Sequence, residues 1–352
     1  MKAVILAGGE GTRLRPLTLT VPKPVVPVVD RPFLAHQLDL LARVGVTEIV
    51  FSLAYQPERI QAVFGDGRAR GLRIHYAVEE TPLGTGGAVK NAEPLLDDVT
   101  IVLNGDVLTD ADLPGALHAH RKSGAAATLV LTPVPNPAAY GLVETDGEGR
   151  VRSFIEKPTD PSQITCDTIN AGIYVLDAST LSLMPPRENH SIERVFFPAL
   201  LRRGDLVRAW VHRGYWIDIG TPEKYMQVHR DILDGRFPVE LEGRPRAGGR
   251  VHAGAKVEEG AQLEGPFYVG PGCRVASGAQ VGPGAVLTAG VAVSAGARVR
   301  DSVVWEGAEL GPDCLVEGAL VSSGVRVGAH ARVLAGAVLG EGTVVSDHSR
   351  TR

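Results

Sequence analysis

Residues able to bind and neutralise phosphate recur along the first two thirds of the chain. Lys2-Ala3-Val4-Ile5-Leu6-Ala7 is a short apolar run, and Gly8-Gly9-Glu10-Gly11-Thr12-Arg13-Leu14-Arg15 follows it at once. A strand that breaks into glycines can turn the N–H groups of Gly9, Gly11 and Thr12 toward an anion, to which Arg13 adds a fork of donors. The same residues would also make a tight turn with solvated arginines. Lys23, held between Pro22 and Pro24, is a pre-positioned cation and tips the balance toward the anion. The loop is not a Walker A motif, and Leu14 occupies the third glycine position of a dinucleotide fingerprint. Asp106 stands just past an apolar run over 99–103, and Asp218 sits among apolar neighbours in Trp216-Ile217-Asp218-Ile219-Gly220. Two such carboxylates can share a hard cation, or cap a turn and sit hydrogen-bonded in a core. Glu156-Lys157-Pro158 is either a surface ion pair or an acceptor and a cation stiffened by proline.

The elements that must carry these residues alternate. Strands are predicted over 3–7, 48–53, 72–78, 99–103 and 128–131, with helices over 32–44, 57–64, 84–93 and 112–122. That β-α rhythm predicts a Rossmann-like mixed, mainly parallel α/β sheet, whose ligands collect at the carboxyl ends of the strands. Strands with turns are predicted over 153–156 and 171–176, then a helix over 192–201, a strand over 206–211 and a helix over 222–233. From Val251 onward the period is six. Val251, Val257, Leu263, Val269, Val275, Val281, Leu287, Val293 and Val299 are aliphatic, and after a step of five Val304, Leu310 and Val316 continue. A second step of five leads to Val321, Val327, Val333, Leu339 and Val345. Small residues such as Ala255, Ala261, Ala279, Ala285 and Ala297 follow four places later, which is the signature of a left-handed parallel β-helix with three hexapeptides per coil. The expected organisation is a first domain over 1–234, a linker over 235–250, the β-helix over 251–346 and a tail over 347–352.

Bulk properties exclude several classes. A net charge of −4 gives no electrostatic case for nucleic acid or an anionic membrane surface. No run of eighteen apolar residues is present to span a bilayer. The three cysteines, Cys166, Cys273 and Cys314, stand singly, which fits a reduced, cytoplasmic setting. His252, His330 and His348 lie in or beside the repeats, but no long loop interrupts the coils to build an acyltransferase pocket.

Taken together, Leu6-Ala7-Gly8-Gly9-Glu10-Gly11-Thr12-Arg13-Leu14-Arg15-Pro16-Leu17-Thr18 with Pro22-Lys23-Pro24 resembles the signature of the sugar-1-phosphate nucleotidyltransferases, the NDP-sugar pyrophosphorylases. Glu80-Thr81-Pro82-Leu83-Gly84-Thr85-Gly86-Gly87, Asn104-Gly105-Asp106, Tyr140-Gly141, Glu156-Lys157-Pro158, Asn170-Ala171-Gly172-Ile173-Tyr174 and Trp216 to Gly220 match in order. The resemblance covers the whole first domain and implies the nucleotide-diphospho-sugar transferase type of sheet. It implies attack by a sugar 1-phosphate on the α-phosphorus of an NTP, with pyrophosphate expelled. Arg13 and Lys23 would hold the triphosphate, Asp106 and Asp218 would hold Mg²⁺, and Lys157 would align the sugar phosphate. Leu6, Ala7, Gly8, Gly9, Gly11, Thr12, Glu80, Gly84, Thr85, Asn104 and Gly105 would line the nucleotide. Gly141, Glu156, Asn170 and Gly172 would meet the sugar. Glu80 to Gly87 and Pro22 to Pro27 are most similar to members using GTP and mannose 1-phosphate. Thymidylyltransferases for glucose 1-phosphate usually carry a Lys-Gln pair where Lys23-Pro24 stands, which argues against them; the alternative substrates are dTTP or UTP with glucose 1-phosphate. A non-catalytic nucleotide-sugar-sensing subunit is the alternative of another class, but such proteins tend to lose the cationic and acidic residues present here. Homo-oligomerisation through the β-helix is expected, because flat aliphatic coils need covering at their ends.

Overall fold

A computed structural model describes residues 1–351. Its contacts divide the chain into two compact units, one of Met1–Gly9 with Leu34–Asp218, the other of Glu10–Phe33 with the chain from Ile219 onward. The division differs from the expected boundary at residue 234. The loop Glu10–Phe33 and the helix Pro222–Leu233 group with the repeats.

In the first unit, β1 (Lys2–Leu6), β2 (Glu48–Leu53), β3 (Arg73–Val78) and β4 (Val99–Asn104) run parallel, with β1 between β2 and β4. Helices α1 (Phe33–Ala42), α2 (Pro57–Phe64) and α3 (Gly84–Ala92) make the crossovers. Ala3, Val4 and Ile5 are fully buried, as an apolar run covered on both faces requires. β5 (Val107–Thr109) leaves the sheet, and α4 (Leu113–Ser123) leads to β6 (Ala127–Pro133). An antiparallel insertion follows, with β7 (Gly141–Thr145), β8 (Val151–Glu156) and the long β9 (Thr168–Asp177). After α5 (Phe197–Arg203), β10 (Val207–Val211) pairs parallel with β6, and β11 (Trp216–Asp218) pairs antiparallel with β5. Among the described residues the main sheet has nine strands, with the path β8-β7-β9-β4-β1-β2-β3 and β6 joining β9 to β10. β5 and β11 have three residues each, too few to show alternation in the sequence.

In the second unit, α6 (Pro222–Leu233) precedes three parallel sheets built from two- and three-residue strands. The aliphatic series forms stacked columns, one being Val251, Val269, Leu287, Val304, Val321 and Leu339. The column residues are packed inside with Cys273, Ala279, Ala297, Ala308, Cys314 and Ala331, which are fully buried. Both five-residue steps fall at the corner leading into this sheet, where a shortened turn leaves the columns in register. Two expectations are corrected here. Within the supposed linker 235–250, Arg244–Arg246 pairs with Gly249–Val251 as a hairpin on the sheet edge. Its two turn residues, Ala247 and Gly248, both have positive φ (47° and 81°), as a tight primed turn requires. The supposed tail also belongs to the β-helix, because Arg350–Thr351 pairs with Arg332–Val333 and fills the next sixfold position. Among the described residues no helix is long and apolar enough to cross a membrane.

Candidate active site

In the first unit the strand ends meet as the parallel register demands. Leu6 pairs with Asn104 on one side and Ser52 on the other. The Gly105 N–H donates to the Leu6 carbonyl at 2.8 Å, and a Cβ on Gly105 would stand 2.6 Å from that oxygen. Glycine is therefore required for the Asn104-Gly105-Asp106 turn to cross so close to β1. Ala7 donates to the Ser52 carbonyl at 2.9 Å, Gly8 has Ala54 at 3.2 Å from its Cβ position, and Gly9 faces open space. Gln37 of α1, 2% exposed, donates to the carbonyls of Asn104 and Val107 at 2.9 and 2.7 Å. It clamps the turn that carries Asp106. Nothing in the sequence marked it, because its partners lie about seventy residues away.

The β5–β11 ribbon puts the backbone positions of the two acidic residues close to one another. Asp218 lies opposite Val107, the residue after Asp106. The Tyr140 hydroxyl donates to Asp218 Oδ1 at 3.0 Å, its ring meets Trp216 edge-on at 5.5 Å, and Trp216 Nε1 donates to the Ala171 carbonyl at 2.9 Å. Among the described residues no group of three or more His, Cys, Asp or Glu could hold a metal. A pair of carboxylates alone suits a hard cation that takes its remaining ligands from phosphate and water.

The insertion supplies the neighbouring residues. Gly141 pairs with Glu156, whose Oε2 would lie 2.5 Å from a Cβ on Gly141, and Lys157 N–H donates to the Tyr140 carbonyl. Lys157 is exposed and has φ of 50°, which ends β8 abruptly. Burial raises the Glu156 carboxyl above the usual range, with the charge of Glu193 adding to the rise and Lys157 and Arg194 opposing it. β9 shifts register between Asn170 and Ile173, and Gly172, with φ of 73°, brings its Cα face against Asn104. Asn170 donates to the Tyr174 hydroxyl at 2.8 Å and accepts from Gly172 N–H at 3.0 Å, so its amide is held by the protein. Asn104 Oδ1 is buried and has no hydrogen-bond partner among the described residues, an orphan acceptor suited to a ligand donor.

The Glu80 to Gly87 stretch is held by other segments of the first unit. Glu80 is exposed, whereas Glu79 is buried, accepting from Ser52 Oγ at 2.9 Å and Leu83 N–H at 2.8 Å. Cβ atoms on Gly84, Gly86 and Gly87 would collide with the segment Glu188–Ile192, at 2.7, 2.4 and 2.4 Å. Thr85 donates to Glu193 at 2.7 Å and accepts from Ile192 N–H at 2.9 Å. These glycines admit a neighbouring chain segment, a partner no local pattern could reveal.

The second unit holds the cationic loop. Gly11, with φ of 64°, lies against Thr18 and Lys23, and the Thr18 hydroxyl donates to the Gly11 carbonyl at 2.7 Å. Short turns at Thr12–Leu14, Leu17–Leu19 and Lys23–Val25 fold the loop back on itself. Thr12 and Arg13 are exposed and Lys23 is buried at 8%. The guanidinium of Arg13 lies across Gly220, where a Cβ would be 2.9 Å from its Nη2.

The fold is shared with solved structures over about two thirds of this chain. HddC from Yersinia pseudotuberculosis, complexed with GMP-PN, aligns with a TM-score of 0.56 and 31% identity over 64% of this chain and 97% of that one. A putative glucose-1-phosphate thymidylyltransferase from Bacillus anthracis, in complex with a sucrose, aligns at TM-score 0.61 and 24% identity over 68% and 98%, and shows the fold alone. The family model described as Nucleotidyl transferase matches residues 2–235, and that of the GMPPB C-terminal domain matches residues 251–351. The chain therefore belongs to the nucleotidyl transferase family. It is 46% identical over 238 residues to the mannose-1-phosphate guanylyltransferase of Mycobacterium tuberculosis, covering 67% of this chain and 66% of the relative. It is 39% identical over 250 residues to the mannose-1-phosphate guanyltransferase of Debaryomyces hansenii, covering 68% of each. Enzymes of this family generally use a divalent metal.

Proposed function

We propose that this chain transfers the guanylyl group of GTP to mannose 1-phosphate, giving GDP-mannose and pyrophosphate. The observation that carries the reading is the pairing of Asp218 opposite Val107, hence beside Asp106, with Tyr140 linking Asp218 to the strand that bears Gly141. The names of the relatives, and the GMP-PN carried by the Yersinia protein, favour a guanine nucleotide and mannose 1-phosphate.

In this reading a phosphate oxygen of the sugar 1-phosphate attacks the α-phosphorus in line, a new P–O bond forms, and the bond to the β-phosphate breaks. Arg13 and Lys23 bind the β- and γ-phosphates and neutralise the charge that leaves with pyrophosphate. Lys157 holds the sugar phosphate in line for attack, and Glu156 accepts hydrogen bonds from sugar hydroxyls beside Gly141. Asn104 offers its free acceptor to a ligand donor, while Asn170, Gly172, Glu79 and Thr85 keep the strand ends in shape. Asp106 and Asp218 would hold Mg²⁺, which when bound supplies charge neutralisation at the α-phosphate. No general base is required, since the nucleophile is already an anion.

A pyrophosphate-release assay with GTP, ATP, UTP and dTTP against mannose and glucose 1-phosphates tests the reading. GTP with mannose 1-phosphate should turn over fastest; no turnover of that pair rejects the substrate assignment. The reading includes a cytoplasmic setting, supported by three free thiols, and assembly into homo-oligomers. Among the described residues the last strand of each repeat sheet has no further neighbour, and Val344 is 66% exposed there. Light scattering that returns a monomer mass at working concentration would remove the assembly.

A further inference from the structure

The coils of the β-helix are filled by aliphatic and small residues, so the buried aromatics on one of its faces call for another explanation. Tyr268 lies in the strand Phe267–Val269, and Trp305 directly follows the strand Val303–Val304 two coils further along the same sheet. Tyr268 is fully buried and Trp305 is 1% exposed. Trp305 Nε1 donates to the Tyr225 hydroxyl of α6 at 3.1 Å, and that hydroxyl donates in turn to the Pro27 carbonyl. The Tyr268 hydroxyl donates to Asp30 Oδ2 at 2.9 Å. Pro27 and Asp30 belong to the short hairpin that pairs Pro27–Val28 with Arg31–Pro32, closed by Phe33 N–H on the Val26 carbonyl at 2.9 Å. The hairpin begins two residues after the turn Lys23–Val25. All of these residues lie within the second unit.

Val26, Val28, Val29 and Phe33 of this stretch are fully buried. A cavity of about 260 Å³ lies between it and the coils, lined by Val21, Val25, Pro27, Thr288, Trp305 and Glu306 among others. The buried atoms Asp30 Oδ1 and Thr288 Oγ1 have no hydrogen-bond partner among the described residues, so they add no further tie. On the side facing the cavity the stretch lacks packing partners, and the hydrogen bonds of Pro27 and Asp30 fix its place there. Tyr225 is fully buried, and burial pushes its hydroxyl far above the ordinary tyrosine range, so it stays a donor at any working pH.

We propose that Tyr225 and Trp305 are positioning residues for nucleotidyl transfer. The indole orients the phenol, the phenol fixes the Pro27 carbonyl, and the hairpin fixes Lys23 against the departing phosphates. The inference rests on the role given to Lys23 above, and it makes the β-helix part of the machinery of transfer as well as a surface for assembly.

The test uses the full chain with Tyr225→Phe, which keeps the ring and removes both hydrogen bonds, and Trp305→Phe, which removes one. Arg230→Ala serves as the control. Its paired hydrogen bonds to Asp301, both 2.7 Å, tie the same helix to the same coils without touching the hairpin. Tyr225→Phe should lower kcat/KM for the NTP roughly tenfold, with KM for the sugar 1-phosphate changed by less than about twofold. Trp305→Phe should act in the same direction and more weakly. Hydrogen exchange over residues 23–33 should quicken in Tyr225→Phe and stay unchanged in Arg230→Ala. Unchanged nucleotide kinetics in Tyr225→Phe, or an equal kinetic loss in Arg230→Ala, overturns the proposal. A wild-type chain that turns over no NTP overturns the functional reading and this one with it, whereas an active wild type with an unaltered Tyr225→Phe overturns this one alone.

Discussion

Glu156 shows how a single side chain ties the fold to a measurable property. Its carboxyl is half-buried beside Gly141, and burial with the charge of Glu193 holds it above the usual carboxylate range. As pH falls it takes a proton earlier than an ordinary glutamate and loses acceptor capacity toward sugar hydroxyls. KM for the sugar 1-phosphate should therefore begin to rise at a higher pH than an unperturbed carboxylate would give, by roughly tenfold once protonation is complete. Initial-rate kinetics across pH on wild type and Glu156→Gln check this. The variant should have a high KM throughout and lack the part of the slope that Glu156 contributes. Cysteine chemistry is set by burial too. The Cys273 and Cys314 thiols are pushed up to about 11 and about 12, so thiolate is scarce at neutral pH, while Cys166 is half-buried. Alkylation of the native protein at mildly alkaline pH, followed by mass spectrometry, should label Cys166 alone and reach the other two only after unfolding.

Among the elements, the turn after β4 carries Asp106, one of the two proposed metal-binding residues. It is defined by Gly105 crossing β1 and by Gln37 gripping it from α1. Gly105→Ala would drive a methyl group into the Leu6 carbonyl, and a loss of about 1–3 kcal/mol in chemical denaturation is expected. Gln37→Leu keeps similar bulk but removes the hydrogen bonds to the Asn104 and Val107 carbonyls, at a cost of about 1–3 kcal/mol. Because the turn carries Asp106, the concentration of Mg²⁺ needed for half-maximal activity should rise in Gln37→Leu as well. A purely global destabilisation would leave that concentration alone. The alternation of strands and helices up to residue 131 was legible because each element announces itself within ten residues. The grip of Gln37, the buried Glu79 and the packing of Glu188–Ile192 against three glycines were not, because each depends on a partner far along the chain.

For the molecule as a whole, the family boundary and the compact units divide the chain at different places. The nucleotidyl transferase match ends at residue 235, while Glu10–Phe33 clusters with the chain from Ile219 onward. A fragment ending at 234 keeps every residue assigned to transfer but loses Trp305 and Tyr268, which hold Tyr225 and Asp30. It should retain the circular dichroism of the α/β sheet and lose at least about tenfold in kcat/KM. Full activity in a folded fragment would show that the coils serve assembly only.

Local order and the ordered set of motifs were determined by the sequence itself. A sixfold aliphatic repeat can be satisfied only by stacking coils, and a buried strand that breaks into glycines marks a sharp turn at the end of a sheet strand. Tertiary structure decided what those signals could not carry. The two five-residue steps proved to be shortened corners, and the supposed tail became the last strand. The backbone positions of Asp106 and Asp218, more than a hundred residues apart, were brought close by two three-residue strands too short to leave a pattern. Periodicity reports only which face of an element is buried. Which distant group meets that face is settled when the chain closes on itself, and in this protein the carboxylates and the anchoring of the cationic loop both depend on that closure.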